Sequence, residues 1–486
     1  MWQETKMKNT EIIRSNSAHL HRTKPFRTSA LLTLVALMLV AVAATTAASA
    51  QTYTVLYNFG SKDGDPNGPY QSIIAQGRDG SLYSTTTDQW TGGAGEVFKI
   101  TPAGILTVLH KFNGADGQDP IGGVTLATDG NFYGTTGSGG SSGYGTIFRI
   151  TPGGKLTTLY NFTAGTDGSG PYPPPVQGLD GNFYGTTSGE GKSNGSVYKI
   201  TQSGVFTTLH TFDGIHGADP HAPLVQGTDG NFYGTTVYGG DTNTGTIFRI
   251  SSSGKFKVLL NFGHGHGRYP WAPLIQGGDG SLYGVNDFHG SNQTGVAFKT
   301  TLQGRCTSLH NFTGGRDGGN QIGGLTQATD GNIYGTNNLD GGAGWGVLFR
   351  IDSTGAFAVL HDFDWGSGAS PQTTMLQHTN GVLYGATDVG GTGNNGEGTF
   401  YSLDLGLGPF VSFLPAASKV GKTIEFLGQG FTGTTGVSFN GTVATFAVVS
   451  DTYLTATVPA GATSGFVTVM TPGGTLTSSK EFRVSP

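Results

Sequence analysis

The chain has 486 residues, of which 85 are Gly and 20 Pro; together these are about 22% of it against roughly 12% in average usage, which excludes a helix-built protein. Only 12% of residues are charged while 35% are hydrophobic and 11% aromatic, too apolar for a disordered chain. Of the 26 basic and 31 acidic residues, six and two fall in the first 50, so residues 51–486 carry a net charge of −9, and nucleic acid is excluded as a partner.

Residues 1–50 read as a secretory signal peptide, with a basic leader (Lys6, Lys8, Arg14), the apolar run Ala30 to Ala44 and an Ala48-Ser49-Ala50 cleavage site. That run of 15 residues is shorter than the roughly 20 that cross a bilayer. The mature chain is expected to start at Gln51, without a membrane span, and to be secreted or held at the outer cell surface. Cys306 is the one cysteine, which leaves no intramolecular disulfide. It replaces an apolar fourth-strand residue and is read as a buried, inert thiol.

From here a Gly-x-(Phe/Leu/Ile)-Tyr core recurs seven times, with tyrosines at Tyr83, Tyr133, Tyr184, Tyr233, Tyr283, Tyr334 and Tyr384, spaced 49 to 51 residues apart. Each unit reads as four short strands, in the fourth copy Ala222–Gln226, Asn231–Thr236, Gly245–Ile250 and Lys255–Phe262, separated by x-Gly turns. A period near 50 with four strands per unit predicts a β-propeller. The fragment Thr54-Val55-Leu56-Tyr57-Asn58-Phe59 carries a fourth-strand motif with no unit before it, and the seventh unit stops after three strands. The N-terminal strand 52–59 is therefore expected to complete the last blade, giving seven blades over 51–404 and no open sheet edge.

The motif Asp129-Gly130-Asn131-Phe132-Tyr133-Gly134-Thr135-Thr136, followed by Gly145-Thr146-Ile147-Phe148-Arg149-Ile150 and Leu159-Tyr160-Asn161-Phe162, resembles the GloVer-type tandem repeat of exported bacterial proteins. The resemblance covers all seven units and implies export and a repeat architecture, with no assigned reaction. After a linker at 405–408 the period ends. Gly421 to Phe431, then Val437-Ser438-Phe439-Asn440-Gly441 and Thr457-Val458-Pro459-Ala460-Gly461, resemble an IPT/TIG domain, which implies a small immunoglobulin-like sandwich over 409–486. The fold class is all-β throughout.

A four-strand meander puts alternate connections at opposite ends of the ring. One face carries the repeated Asp-Gly and Pro-x-Gly turns; the other carries second-to-third-strand loops and inter-blade links that differ from blade to blade. All four tryptophans of the mature chain, Trp90, Trp271, Trp345 and Trp365, fall in or beside those variable loops. Tyr70, Tyr172, Tyr238, Tyr269, Phe288 and His289 join them. Flat apolar rings among short polar groups suit a glycan or a cell-surface component, and the same rings equally suit capping of blade ends. The repeat tyrosines, the fourth-strand Phe series and the fourth-strand histidines His110, His210, His310 and His361 read as structural.

Two weak metal readings remain. Asp63-Gly64-Asp65-Pro66-Asn67-Gly68 opens like a Ca²⁺ loop, but Ile74 stands where the closing Glu belongs. His264 and His266 lie two apart without an evident third ligand. No catalytic motif occurs, although loop-borne carboxylates such as Asp116 and Asp219 would serve an enzyme. The reading is a secreted or cell-surface binding or adhesion protein with no required cofactor. The alternatives are a polysaccharide hydrolase or lyase and a structural envelope component.

Overall fold

In the computed structural model the described residues are 51–485 apart from 63, 88–91, 192, 264, 289–291 and 394–395. The expectation for residues 1–50 lies outside them. No described helix is long and apolar enough to cross a membrane.

Seven four-stranded antiparallel sheets form the blades. Each begins with a short inner strand and runs outward, as in blade four through Val225–Gln226, Phe232–Thr236, Thr246–Ile250 and Phe256–Asn261. The inner strand is shorter than the sequence pattern suggests, two residues in blade four where the pattern offers five. Near the axis, neighbouring blades meet in parallel bridges instead, Ile73 with both Gly123 and Thr374.

The repeat residues do the packing expected of them. The second strand of blade four is buried throughout, and the third exposes only part of Arg249. Each repeat tyrosine crosses to the next blade: Tyr83 stacks on Phe132 at 4.0 Å, Tyr133 on Phe183 at 3.9 Å and Tyr184 on Phe232 at 4.0 Å. In six blades its hydroxyl donates to the turn Asp of its own blade, Tyr133 to Asp129 at 2.9 Å, and in blade seven the Asn380 amide donates to Tyr384 at 2.9 Å, so the buried phenol is satisfied and the turn is fixed. Fourth-strand residues cap a second turn in the same way, His110 on Asp116 at 2.8 Å, Tyr160 on Asp167 at 3.1 Å and His310 on Asp317 at 3.0 Å. Asp116 thus fixes a turn of its own blade, accepting the Asn113 N–H at 3.0 Å as well.

A glutamine ends six of the seven inner strands and latches the ring. Gln177 Oε1 accepts the Thr128 N–H at 2.9 Å, Gln226 that of Leu179 at 3.0 Å and Gln377 that of Thr329 at 2.9 Å. Gln76 does the same for Thr379 at 3.0 Å, tying blade one to blade seven. Blade seven is completed by Thr52–Asn58, antiparallel to Thr399–Asp404, so the first strand of the described chain lies beside the last of the ring.

Blade two has Leu126 in place of the glutamine, and the C-terminal module docks at that seam. Leu414, Leu427 and Tyr453 pack with Leu126. Arg78, whose backbone N–H has no glutamine to meet, sends its guanidinium to Glu425 at 2.6 Å and to the Thr128 carbonyl at 3.0 Å. Thr452 Oγ1 donates to the Arg78 carbonyl at 2.7 Å. The module is a sandwich of two four-stranded sheets plus a short parallel pair, around a core that includes Phe426, Phe439 and Phe482. Residues 405–408, read as a linker, are anchored, since Leu405 and Leu407 pack against blade seven. Cys306 is half-buried rather than fully buried, and burial pushes its thiol up to about 11, in keeping with an inert role.

The candidate binding mouth

Each inter-blade link carries one residue per blade to the inner lip of the variable face, by a device visible in blade five. Gly245, at φ +97°, opens the third strand of blade four; a Cβ there would lie 2.8 Å from Cδ of Pro270, so glycine makes room for the proline of the next link. Tyr269, just before that proline, is itself left-handed at φ +56°, and its carbonyl accepts the Asp287 N–H at 3.3 Å. The residue after the proline, Trp271, is thereby aimed into the mouth. Asp219 and Asp119 occupy the left-handed position in blades four and two, and their carbonyls accept from Val237 at 3.1 Å and Gly137 at 2.8 Å.

The register position of Trp271 is filled by Gln71, Ile121, Tyr172, His221, Ile322 and Gln372 in the other blades. All but Gln372, whose amide donates to Ser370 Oγ at 2.9 Å, line a single cavity of about 530 Å³. Tyr70, Tyr238, Tyr269, Asp287 and Phe288 complete its wall. Six of the sequence-predicted aromatics are therefore brought together at one mouth, although they come from residues 70 to 288 of the chain.

Blades three to five form the densest side. His221 stacks on Tyr172 with ring centres 4.9 Å apart, meets Trp271 edge-on at 4.4 Å and shares a hydrogen bond with Asp219 at 2.9 Å. The Tyr172 hydroxyl donates to Glu190 at 3.4 Å; burial first, then the Glu190 and Asp219 carboxylates, push its phenol up to about 12. Tyr238 meets Tyr269 edge-on at 5.4 Å, and Tyr269 meets Phe288 at 6.2 Å. Tyr238 and Phe288 keep 39% and 42% of their surface exposed, so these rings are not spent on packing. Burial without a cation nearby pushes the Asp287 carboxyl from 3.8 up to about 7.

Other predicted residues stand apart. Trp345 and Trp365 pair with each other at 5.0 Å, outside the cavity walls. Trp90 and His289 lie outside the described residues, as do Asp63 and His264. Asp65 Oδ2 accepts from the Tyr57 hydroxyl at 2.7 Å and the Lys62 N–H at 2.9 Å, which holds a turn, and Asn67 is buried beside it in sequence. The carbonyl of His266 accepts from Asn286 at 2.8 Å, and its Nδ1 is buried without a partner. Among the described residues no three of His, Cys, Asp or Glu are grouped to hold a metal ion. Sequence reasoning passes over Gln71, Ile121, Ile322 and Asp287 as lining groups. The signal that finds the first three is their shared register one place after the link proline or its equivalent.

Fold and mouth define a seven-bladed β-propeller with an immunoglobulin-like module on the face opposite its cavity. The chain belongs to the Gloeobacter/Verrucomicrobia repeat family, which it matches over residues 43–226 and 174–401, and residues 410–484 match the IPT/TIG domain. No curated protein matches it. Among solved structures, a fungal alcohol oxidase of the AA5 family in complex with copper is 14% identical, with a TM-score of 0.52 over 90% of this chain and 100% of that one. A putative 6-phosphogluconolactonase from Bacteroides fragilis is 20% identical, with a TM-score of 0.45 over 63% of this chain and 88% of that one. A gluconolactonase from Xanthomonas campestris is 12% identical, with a TM-score of 0.39 over 74% and 92%. At these identities the likeness concerns the fold alone.

Proposed function

We propose that this is an exported binding protein that holds a glycan in the variable-face cavity. The observation that carries the reading is the convergence of Tyr70, Tyr172, Tyr238, Tyr269, Trp271 and Phe288 on one open cavity, with Gln71 and Asp287 among them as polar groups. Sugar rings present flat C–H faces and hydroxyl edges, and such a wall meets both. The C-terminal module occupies the opposite face, which leaves this mouth as the approach for an extended ligand. An exported location, which the apolar run and Ala-x-Ala site of residues 1–50 support, gives the cavity access to extracellular polysaccharide.

A glycan array probed with the full mature chain tests this. Tyr172→Ala and Trp271→Ala are each expected to weaken binding about 10-fold, the equivalent of 1.4 kcal/mol for one lost ring contact. Trp345→Ala with Trp365→Ala is expected to leave it unchanged. Binding that survives Tyr172→Ala and Trp271→Ala together overturns the reading. Release of reducing sugar from the bound glycan replaces it with an enzyme.

A further inference from the structure

The cavity is electrically one-sided. Its described lining contains no Lys or Arg and a single carboxyl group, that of Asp287. Asp287 is only 6% exposed, and its Oδ1 has no hydrogen-bond partner. A buried acceptor left open in this way is costly to the free protein, and a positive charge brought against the carboxyl by a ligand offsets that cost. Two further carboxylates stand just behind the wall, Asp219 on His221 and Glu190 on the Tyr172 hydroxyl. The faces of aromatic rings carry negative charge density of their own and attract cations within about 6 Å. Rings, a buried acid with one unpartnered oxygen and the lack of Lys or Arg among the described lining residues together describe a seat for positive charge.

We propose that the ligand carries a positively charged nitrogen, as on an amino sugar, seated against Trp271 and Tyr269 and paired with Asp287. This rests on the glycan reading above and narrows it: acidic polysaccharides are excluded, and an N-acetylated sugar, which is neutral at that nitrogen, is the weaker ligand.

Calorimetric titration of the full mature chain at pH 8 separates the possibilities. The probes are glucosamine oligomers, their N-acetylated counterparts, their N-trimethylated counterparts whose charge does not titrate, and choline as a cation without a sugar. The trimethylated oligomer is expected to bind at least about 10-fold more tightly than the acetylated one. Asp287→Asn is expected to close that gap to about 2-fold, read as the ratio of the two affinities in the same variant. Equal or tighter binding of the acetylated oligomer, or a gap that persists in Asp287→Asn, overturns the proposal and leaves the glycan reading standing. Choline binding that Asp287→Asn abolishes, with no oligomer bound, keeps the cation seat and overturns the sugar. No heat from any probe overturns the proposal and leaves the glycan reading to the array. The thermal midpoint of Asp287→Asn, measured alongside, confirms that the variant is folded.

Discussion

Asp287 shows what one residue does in this architecture. Its register position at the end of the second strand holds Thr87, Gly137, Ser188, Val237, Asn338 and Asp388 in the other blades, small or polar residues that the backbone tolerates equally. Burial raises its carboxyl to about 7, as it does that of Asp388 in blade seven, but of the two acids only Asp287 lines the cavity. The folded state therefore holds the proton more tightly than the unfolded chain does. The stability that this provides is complete below about pH 4 and is lost as pH rises through about 7. Asp287→Asn removes the ionisable group, so it should match the parent near pH 4 and exceed it at pH 8, by up to about 4 kcal/mol at 1.4 kcal/mol per unit. Urea unfolding at the two pH values reads the difference directly. The Asp388 carboxyl, which burial also raises to about 7, titrates in the same window, so Asp287 is read from the difference between the parent and Asp287→Asn, with Asp388→Asn as the control.

At the scale of elements, the ring depends on strands that are remote in sequence. The strand Thr52–Asn58 pairs with Thr399–Asp404, and Tyr53 within it stacks on His361 at 3.7 Å and donates to the Ser367 carbonyl at 2.7 Å. Tyr53→Ala removes a large ring from the blade six to seven interface and is expected to cost about 2–3 kcal/mol. Hydrogen exchange should rise in residues 399–404 before it rises in blades two to five, because the freed edge belongs to blade seven. Uniform acceleration across the ring would show that closure is shared among all the interfaces. The glutamine latches were equally written in the sequence as Gln76, Gln177, Gln226, Gln276, Gln327 and Gln377, yet their partners are backbone groups of the preceding blade, which no spacing rule names.

At the scale of the molecule, the C-terminal module sits on the plain face because that face has one irregular seam. Leu126 replaces a latch glutamine, Arg78 loses its latch partner, and Leu427 and Glu425 of the module take up both. Burial raises the Glu425 carboxyl and the Arg78 guanidinium opposes that rise, so removing the arginine leaves a half-buried acid uncompensated. Arg78→Ala with Leu427→Ala is expected to release the module, increasing the radius of gyration by small-angle scattering, while the cavity on the opposite face keeps its ligand affinity. Loss of affinity in that variant would mean that the module and the mouth are coupled through the ring.

The sequence by itself determined the repeat, the number of blades, the strand that closes them and the type of the C-terminal module. Each is a matter of local pattern: a period of about 50, alternating apolar positions and turn glycines act over a few residues and are the same wherever the unit sits. It also marked the aromatics worth watching, without distinguishing Trp271, which lines the mouth, from Trp345 and Trp365, which pair with each other outside it. Only the tertiary structure decided that. Ring closure sets residues about 50 apart side by side, so the lip is assembled from one register position sampled seven times, and the character of the cavity comes from the differences among those samples. The docking of the module on the Leu126 seam was likewise closed to sequence reasoning, since it depends on two surfaces more than 280 residues apart meeting at a single departure from the repeat.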